Sequence, residues 1–184
     1  MTAAAVTATA FFGFFFEKQA ETTLRNPIII GTMLIVVGLV MWYADREGRR
    51  DRGLGSIGVT DAVSIGFAQA LAIVPGTSRS GVTITAGLFR GLDRYAAGRF
   101  SFLLSTPAIT AAAAKAFHDL YKEGGIPPDM RTPFFVGMGV SAAVGCLVIA
   151  LFLKFLRANS LRFFVFYRVV LGLFILTLAL FIRP

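Results

Sequence analysis

A seven-residue run, Pro75-Gly76-Thr77-Ser78-Arg79-Ser80-Gly81, carries most of the chemistry legible in this sequence. Pro75 cannot cheaply continue a helix that precedes it. Gly76 and Gly81 permit backbone conformations and close approaches that other residues resist. Thr77, Ser78 and Ser80 are suited to cap a helix that follows. Such a helix points its free N–H groups and positive dipole end back at the turn, which makes a site for an anion. The forked guanidinium of Arg79 matches phosphate oxygens in a bidentate way. Ser78, Ser80 and Thr83 add hydroxyl donors, and Gln69 could bond the turn or a neighbouring helix. The chemistry is therefore phosphate binding. The competing reading is a structural turn, with Arg79 bonded to carbonyls at a helix end.

The elements that hold this run are apolar. Of 184 residues, 56% are hydrophobic and only 15% are charged, and the apolar residues fall in long blocks between short polar stretches. That distribution marks a polytopic all-α membrane protein forming one membrane domain over residues 1–184. Spans are expected at 28–44, 100–118, 134–153 and 163–182. With a short block at 3–16, that makes about five. A span needs about 20 residues, so the 3–16 block reads as a helix cut into partway and the chain as the C-terminal part of a longer protein. Trp42 and Tyr43 are expected as interface anchors.

Residues 61–92 break the pattern. The flanks on either side of the seven-residue run hold 11 to 14 residues. At 1.5 Å per residue, the longer flank reaches roughly 21 Å against a hydrocarbon core of about 30 Å. A re-entrant helix–loop–helix that enters and leaves on one side fits better than two spans. Arg79 then lies at membrane depth, where a lipid-facing arginine costs about 2.5–3.5 kcal/mol. It must face water or an anion.

The net charge of +8 would suggest nucleic acid in a soluble protein, but the basic residues sit in loops between apolar blocks. With the hairpin mouth in the cytoplasm, that side holds ten of them: Arg46, Arg49, Arg50, Arg52, Arg90, Arg94, Arg99, Lys154, Arg157 and Arg162. The other side holds six: Lys18, Arg25, Lys115, Lys122, Arg131 and Arg183. This bias orients the protein and excludes nucleic acid as a partner.

Other residues carry less. Every Asp and Glu falls in a loop or at a span end, so an evident general base or metal cage is missing. With one Cys and one His, no zinc site can be built. Cys146 reads as a buried small hydrophobe and His118 as an interface residue. Arg168 either snorkels to the cytoplasmic face or lines the site. Gly137, Ser141 and Gly145 form a small-residue face, read first as packing within the chain and second as a homodimer contact.

PGTSRSG, preceded by AQALAIV and followed by RYAAGRFSFLLSTPAI and FYRVVLG, resembles the bacterial undecaprenyl-diphosphate phosphatases of the bacitracin-resistance type. The resemblance implies an inner-membrane, multi-pass enzyme that hydrolyses undecaprenyl diphosphate to the monophosphate for cell-wall carrier recycling. It implies two inverted repeats, each with a re-entrant hairpin, around a cavity open to the outer side. It implies Ser78, Arg79 and Thr83 as the catalytic contacts to the diphosphate and a divalent cation, Mg or Ca, with no ligands identified in this chain. Gly76, Thr77, Ser80, Gly81 and Gln69 join the site as substrate-binding residues. The family's first motif, a Glu-rich helix and a Ser-rich turn ending in Gly-His, is absent here, and with it the acid/base residues. The alternative function is binding or transport of a phosphorylated lipid without hydrolysis.

Overall fold

A computed structural model describes residues 26–181, and these are all-α. Six α-helices follow in order: α1 (Pro27–Glu47), α2 (Val59–Ala70), α3 (Arg79–Phe89), α4 (Arg94–Lys122), α5 (Arg131–Ala158) and α6 (Arg162–Phe181). Four of them, α1, α4, α5 and α6, are long and apolar enough to cross a membrane. They match the expected spans, extended at their ends by polar caps. Asn26 Oδ1 accepts from Ile28 N–H ahead of Pro27, and Asp93 Oδ1 accepts from Ala96 N–H at the start of α4. The short block at 3–16 lies outside the described residues.

The two short helices form an antiparallel hairpin. At 12 and 11 residues they are roughly 18 and 16 Å long. The first starts at Val59, two residues before the expected 61–92 segment, because Asp61 turns back to accept from the Gly58 N–H at 2.9 Å. The same carboxylate closes the hairpin's mouth. Arg52 grips it bidentately at 3.1 and 2.6 Å, and Arg90 Nε, from the far end of α3, donates to it at 2.7 Å. Backbone bonds from Arg52 N–H to Gly91 and from Asp93 N–H to Arg52 lock the connection.

A second buried carboxylate gathers three more helix ends on the same face. Asp45, in the last turn of α1, takes Arg94 Nε at 2.5 Å and the Leu161 N–H at 3.1 Å. The ends of α1, α3 and α5 and the starts of α2, α4 and α6 therefore share the arginine-rich face. Beneath them lies an apolar core built from Met41, Ala44, Ile65, Leu88, Phe100, Leu104, Leu156 and their neighbours.

Helices α1 and α6 pack backbone to backbone. A Cβ at Gly172 would come within 2.7 Å of the Gly31 carbonyl oxygen, so only glycine fits. The small-residue face on α5 behaves differently from its first reading. Added Cβ atoms at Gly137 and Gly145 would meet nothing within 4 Å, so this stripe is not packed against the described residues. Cys146 is likewise exposed rather than buried, on the same apolar helix. Buried residues of α4 all precede Pro107, and α5 buries only Leu156. The far halves of these two helices stand clear of the core.

Arg52 is the first cause of the Asp61 carboxyl lying well below its ordinary value of 3.8, with the Gly58 N–H and Arg90 adding to it against the opposing effect of burial. A depressed carboxyl stabilises the fold fully above its unfolded value and loses that contribution as pH falls toward its folded one. Thermal unfolding of the detergent-solubilised chain should show stability falling below about pH 4. Asp61→Asn should remove this acid slope and cost about 1–3 kcal/mol at neutral pH. An unchanged acid profile in the variant would remove Asp61 from this role.

Candidate functional site

The hairpin tip is built by local strain that two other helices hold in place. Gly76 adopts φ +89°, where a Cβ would collide with the Ile30 carbonyl oxygen at 2.5 Å. The tip thus lies beside the first turn of α1, at the end opposite the arginine-rich face. Ser78, a non-glycine residue at φ 69°, is the cap that the structure selects from the three hydroxyl candidates. Its Oγ accepts from Gly81 N–H at 3.2 Å. The hydroxyl proton stays available for donation outward.

Arg168 settles between its two readings. It neither snorkels nor stands free. From α6 its Nη2 donates to the carbonyls of Gly76 at 2.8 Å and Thr77 at 3.0 Å, groups that no helix or strand satisfies. A Cβ at Gly81 would sit 3.5 Å from Arg168 Nη1, so the guanidinium also lies by the first turn of α3. Two arginines, 79 and 168, therefore flank the start of one helix.

The remaining site residues divide by exposure. Ser78, Arg79 and Ser80 are exposed, Gly76 is half-buried, and Thr77, Gly81, Thr83 and Gln69 are buried. Among the described residues the Arg79 guanidinium has no ion-pair partner. Thr83 faces inward. Its hydroxyl bonds the carbonyls of Arg79 at 2.9 Å and Ser80 at 3.2 Å, and meets Ser101 Oγ of α4 at 2.6 Å. It braces the first turn from behind. Thr77 Oγ1 is fully buried without a hydrogen-bond partner, directly beneath the exposed face of the tip. Ser101 escaped the sequence reading, since nothing in FSFLLS distinguishes it from any other serine on a span. The signal for Arg168 was present, a lone cation in an apolar block, but its partner was not.

The described residues hold no group of three or more His, Cys, Asp or Glu placed to bind a metal. Asp45 and Asp61 are both committed to arginines at the opposite face. The described donor set does not fit a divalent cation. What the tip presents is one guanidinium without an ion-pair partner among the described residues, two exposed hydroxyls and a helix start, a set whose chemistry suits an anion.

Comparison with known proteins points the same way. The sequence pattern described as "Bacitracin resistance protein BacA" matches residues 1–174. A protein named Undecaprenyl-diphosphatase from Pelotomaculum thermopropionicum is 45% identical over 170 residues, covering 92% of this chain and 62% of its own length. One of the same name from Moorella thermoacetica is 44% identical over 163 residues, covering 89% and 60%. Another, from Thermodesulfovibrio yellowstonii, is 45% identical over 169 residues, covering 92% and 64%. The chain spans about 60% of the length of the curated relatives that it matches.

The tip's geometry makes two substitutions informative. Arg168→Met, of similar length, should leave the Gly76 and Thr77 carbonyls unsatisfied and cost about 1–3 kcal/mol. Hydrogen exchange over residues 74–81 should then speed up while α5 stays unchanged. Gly76→Ala should cost more than Arg168→Met in thermal unfolding, because strain and a backbone clash add. Exchange at the tip equal to that of the unsubstituted chain would remove Arg168 as its brace.

Proposed function

This chain belongs to the bacitracin resistance protein BacA family, and on that premise we propose that its hairpin tip grips the diphosphate of undecaprenyl diphosphate during hydrolysis to the monophosphate. The observation that carries the reading is the exposed Arg79 guanidinium at the start of α3, without a carboxylate partner among the described residues. In the proposed reaction, water attacks the terminal phosphorus. The bond to the bridging oxygen breaks, releasing inorganic phosphate and leaving undecaprenyl phosphate. Arg79 and the N–H groups of α3 take up charge on the transferred phosphoryl oxygens, and the Ser78 and Ser80 hydroxyls donate to them. Thr83 is a positioning residue in this scheme, and Arg168 holds the loop that presents Arg79. The described residues supply no carboxylate at the tip to act as base, and no step is assigned to a metal.

We place the hairpin as re-entrant, with the arginine-rich face in the cytoplasm and the tip reached from the outer side of a bacterial plasma membrane. Support comes from helices too short to span, from a mouth closed by Asp61 on one face, and from the charge bias. The hairpin would be one half of an inverted-repeat fold, and the longer relatives carry length for the other. Recycling of the lipid carrier and resistance to bacitracin follow from the activity. Binding or transport without hydrolysis is the second reading, favoured by the lack of a carboxylate at the described tip.

Arg79→Ala in the complete protein should lower phosphate release from undecaprenyl diphosphate by about 10²-fold or more. Arg79→Lys should recover only part of it, because the fork is lost. A near-unchanged rate in the Ala variant would remove Arg79 from the site. Retention of the diphosphate with no phosphate release by any length of the protein would favour transport. For topology, Ser56→Cys in a Cys146→Ala background should resist an impermeant thiol reagent in intact cells. Ready labelling would invert the orientation.

A further inference from the structure

A cationic cleft lies at the arginine-rich face, away from the tip. A cleft of about 480 Å³ opens there, lined by Arg50, Asp93, Arg94, Tyr95, Leu156 and Arg157. Its walls are the start of α4, the end of α5 and the loop before α2. Arg94 is already paired with Asp45, and Asp93 is occupied in capping α4. Arg50 and Arg157 have no carboxylate partner among the described residues.

Each of these guanidiniums has a local contact at the cleft wall. Arg157 lies 4.1 Å over the Tyr95 ring, a cation–π contact that fixes it at the cleft wall. Arg50 sits at φ 55°, a left-handed conformation that costs energy in a non-glycine residue, and its Nε donates to the Gly48 carbonyl at 3.2 Å. The positive end of α4 adds to the field. Three guanidiniums against two carboxylates leave the cleft net positive, which suits an anion of a single charge.

The floor and flanks say which kind of anion. Leu156 is buried at the base. The two helices that frame the cleft run on as apolar surfaces, with Leu103 of α4 and Leu147 and Leu151 of α5 exposed. A cationic pocket at the helix ends that continues into apolar helix flanks has the profile of a phospholipid, with headgroup in the cleft and acyl chains along the spans.

We propose that this cleft binds the phosphodiester headgroup of an anionic phospholipid in the leaflet at the arginine-rich face. The inference does not depend on hydrolysis at the tip.

The test uses the purified chain in detergent, with lipid retention read by native mass spectrometry. Phosphatidylglycerol should be retained over phosphatidylcholine of the same acyl chains, by about fivefold or more for each guanidinium. The Arg50→Ala, Arg157→Ala double variant should lose that preference, and Arg79→Ala should keep it. The charge-keeping pair Arg50→Lys, Arg157→Lys should retain it in part, which separates lost binding from lost fold. Raising the salt concentration should weaken it in the unsubstituted chain. Equal retention of the two lipids would overturn the proposal. So would a preference that survives the double Ala substitution, or full displacement of the lipid by equimolar inorganic phosphate, which would make this a site for free anions.

Discussion

Buried irregular backbone survives only where its polar groups find partners. The hairpin tip meets that condition through one residue. Arg168 reaches from α6 to the Gly76 and Thr77 carbonyls, 92 and 91 residues away in sequence. The exchange is mutual. Two carbonyls gain a charge-assisted donor, and a guanidinium in an apolar helix gains acceptors. With the loop anchored, Ser78 keeps its strained φ and caps α3, and Arg79 is turned outward. The outward presentation of Arg79 is thus a consequence of satisfying a buried loop, as much as of the residues that form the tip.

At the other end the same logic runs with the charges exchanged. Asp61 and Asp45 are buried carboxylates, each engaged by arginine and by a backbone N–H. Breaking such a pair leaves an uncompensated charge, so these contacts fix geometry more than they add net stability. They fix the ends of α1 and α3 and the starts of α2, α4 and α6 at one face. Several of the arginines at that face are therefore structural. Arg52, Arg90 and Arg94 are occupied in holding the scaffold, whereas Arg79 has no ion-pair partner among the described residues.

Glycine has divided duties. At Gly31 and Gly172 its absent side chain lets α1 and α6 meet at backbone distance, which brings Arg168 within reach of the tip. On α5, Gly137 and Gly145 stand open. A stripe of small residues is equally visible in sequence whether or not a helix lies against it. That is why the stripe on α5 reads as an internal contact although no described residue packs against it.

By itself the sequence determined what depends on neighbours in the chain. Spans follow from the length of apolar blocks. The two short helices follow from the 11 to 14 residues that flank PGTSRSG on either side, and the turn follows from Pro, Gly and hydroxyl capping. Tertiary structure alone decided matters that join distant residues. It chose Ser78 over Thr77 and Ser80 as the cap, turned Thr83 inward to Ser101, and gave Arg168 to the tip. It also closed the hairpin's mouth across 29 residues and linked Asp45 to Leu161 across 116. Helix formation and capping are short-range effects written in local order. Side-chain partners across helices depend on rotation and depth of packing, which no single stretch of the chain encodes.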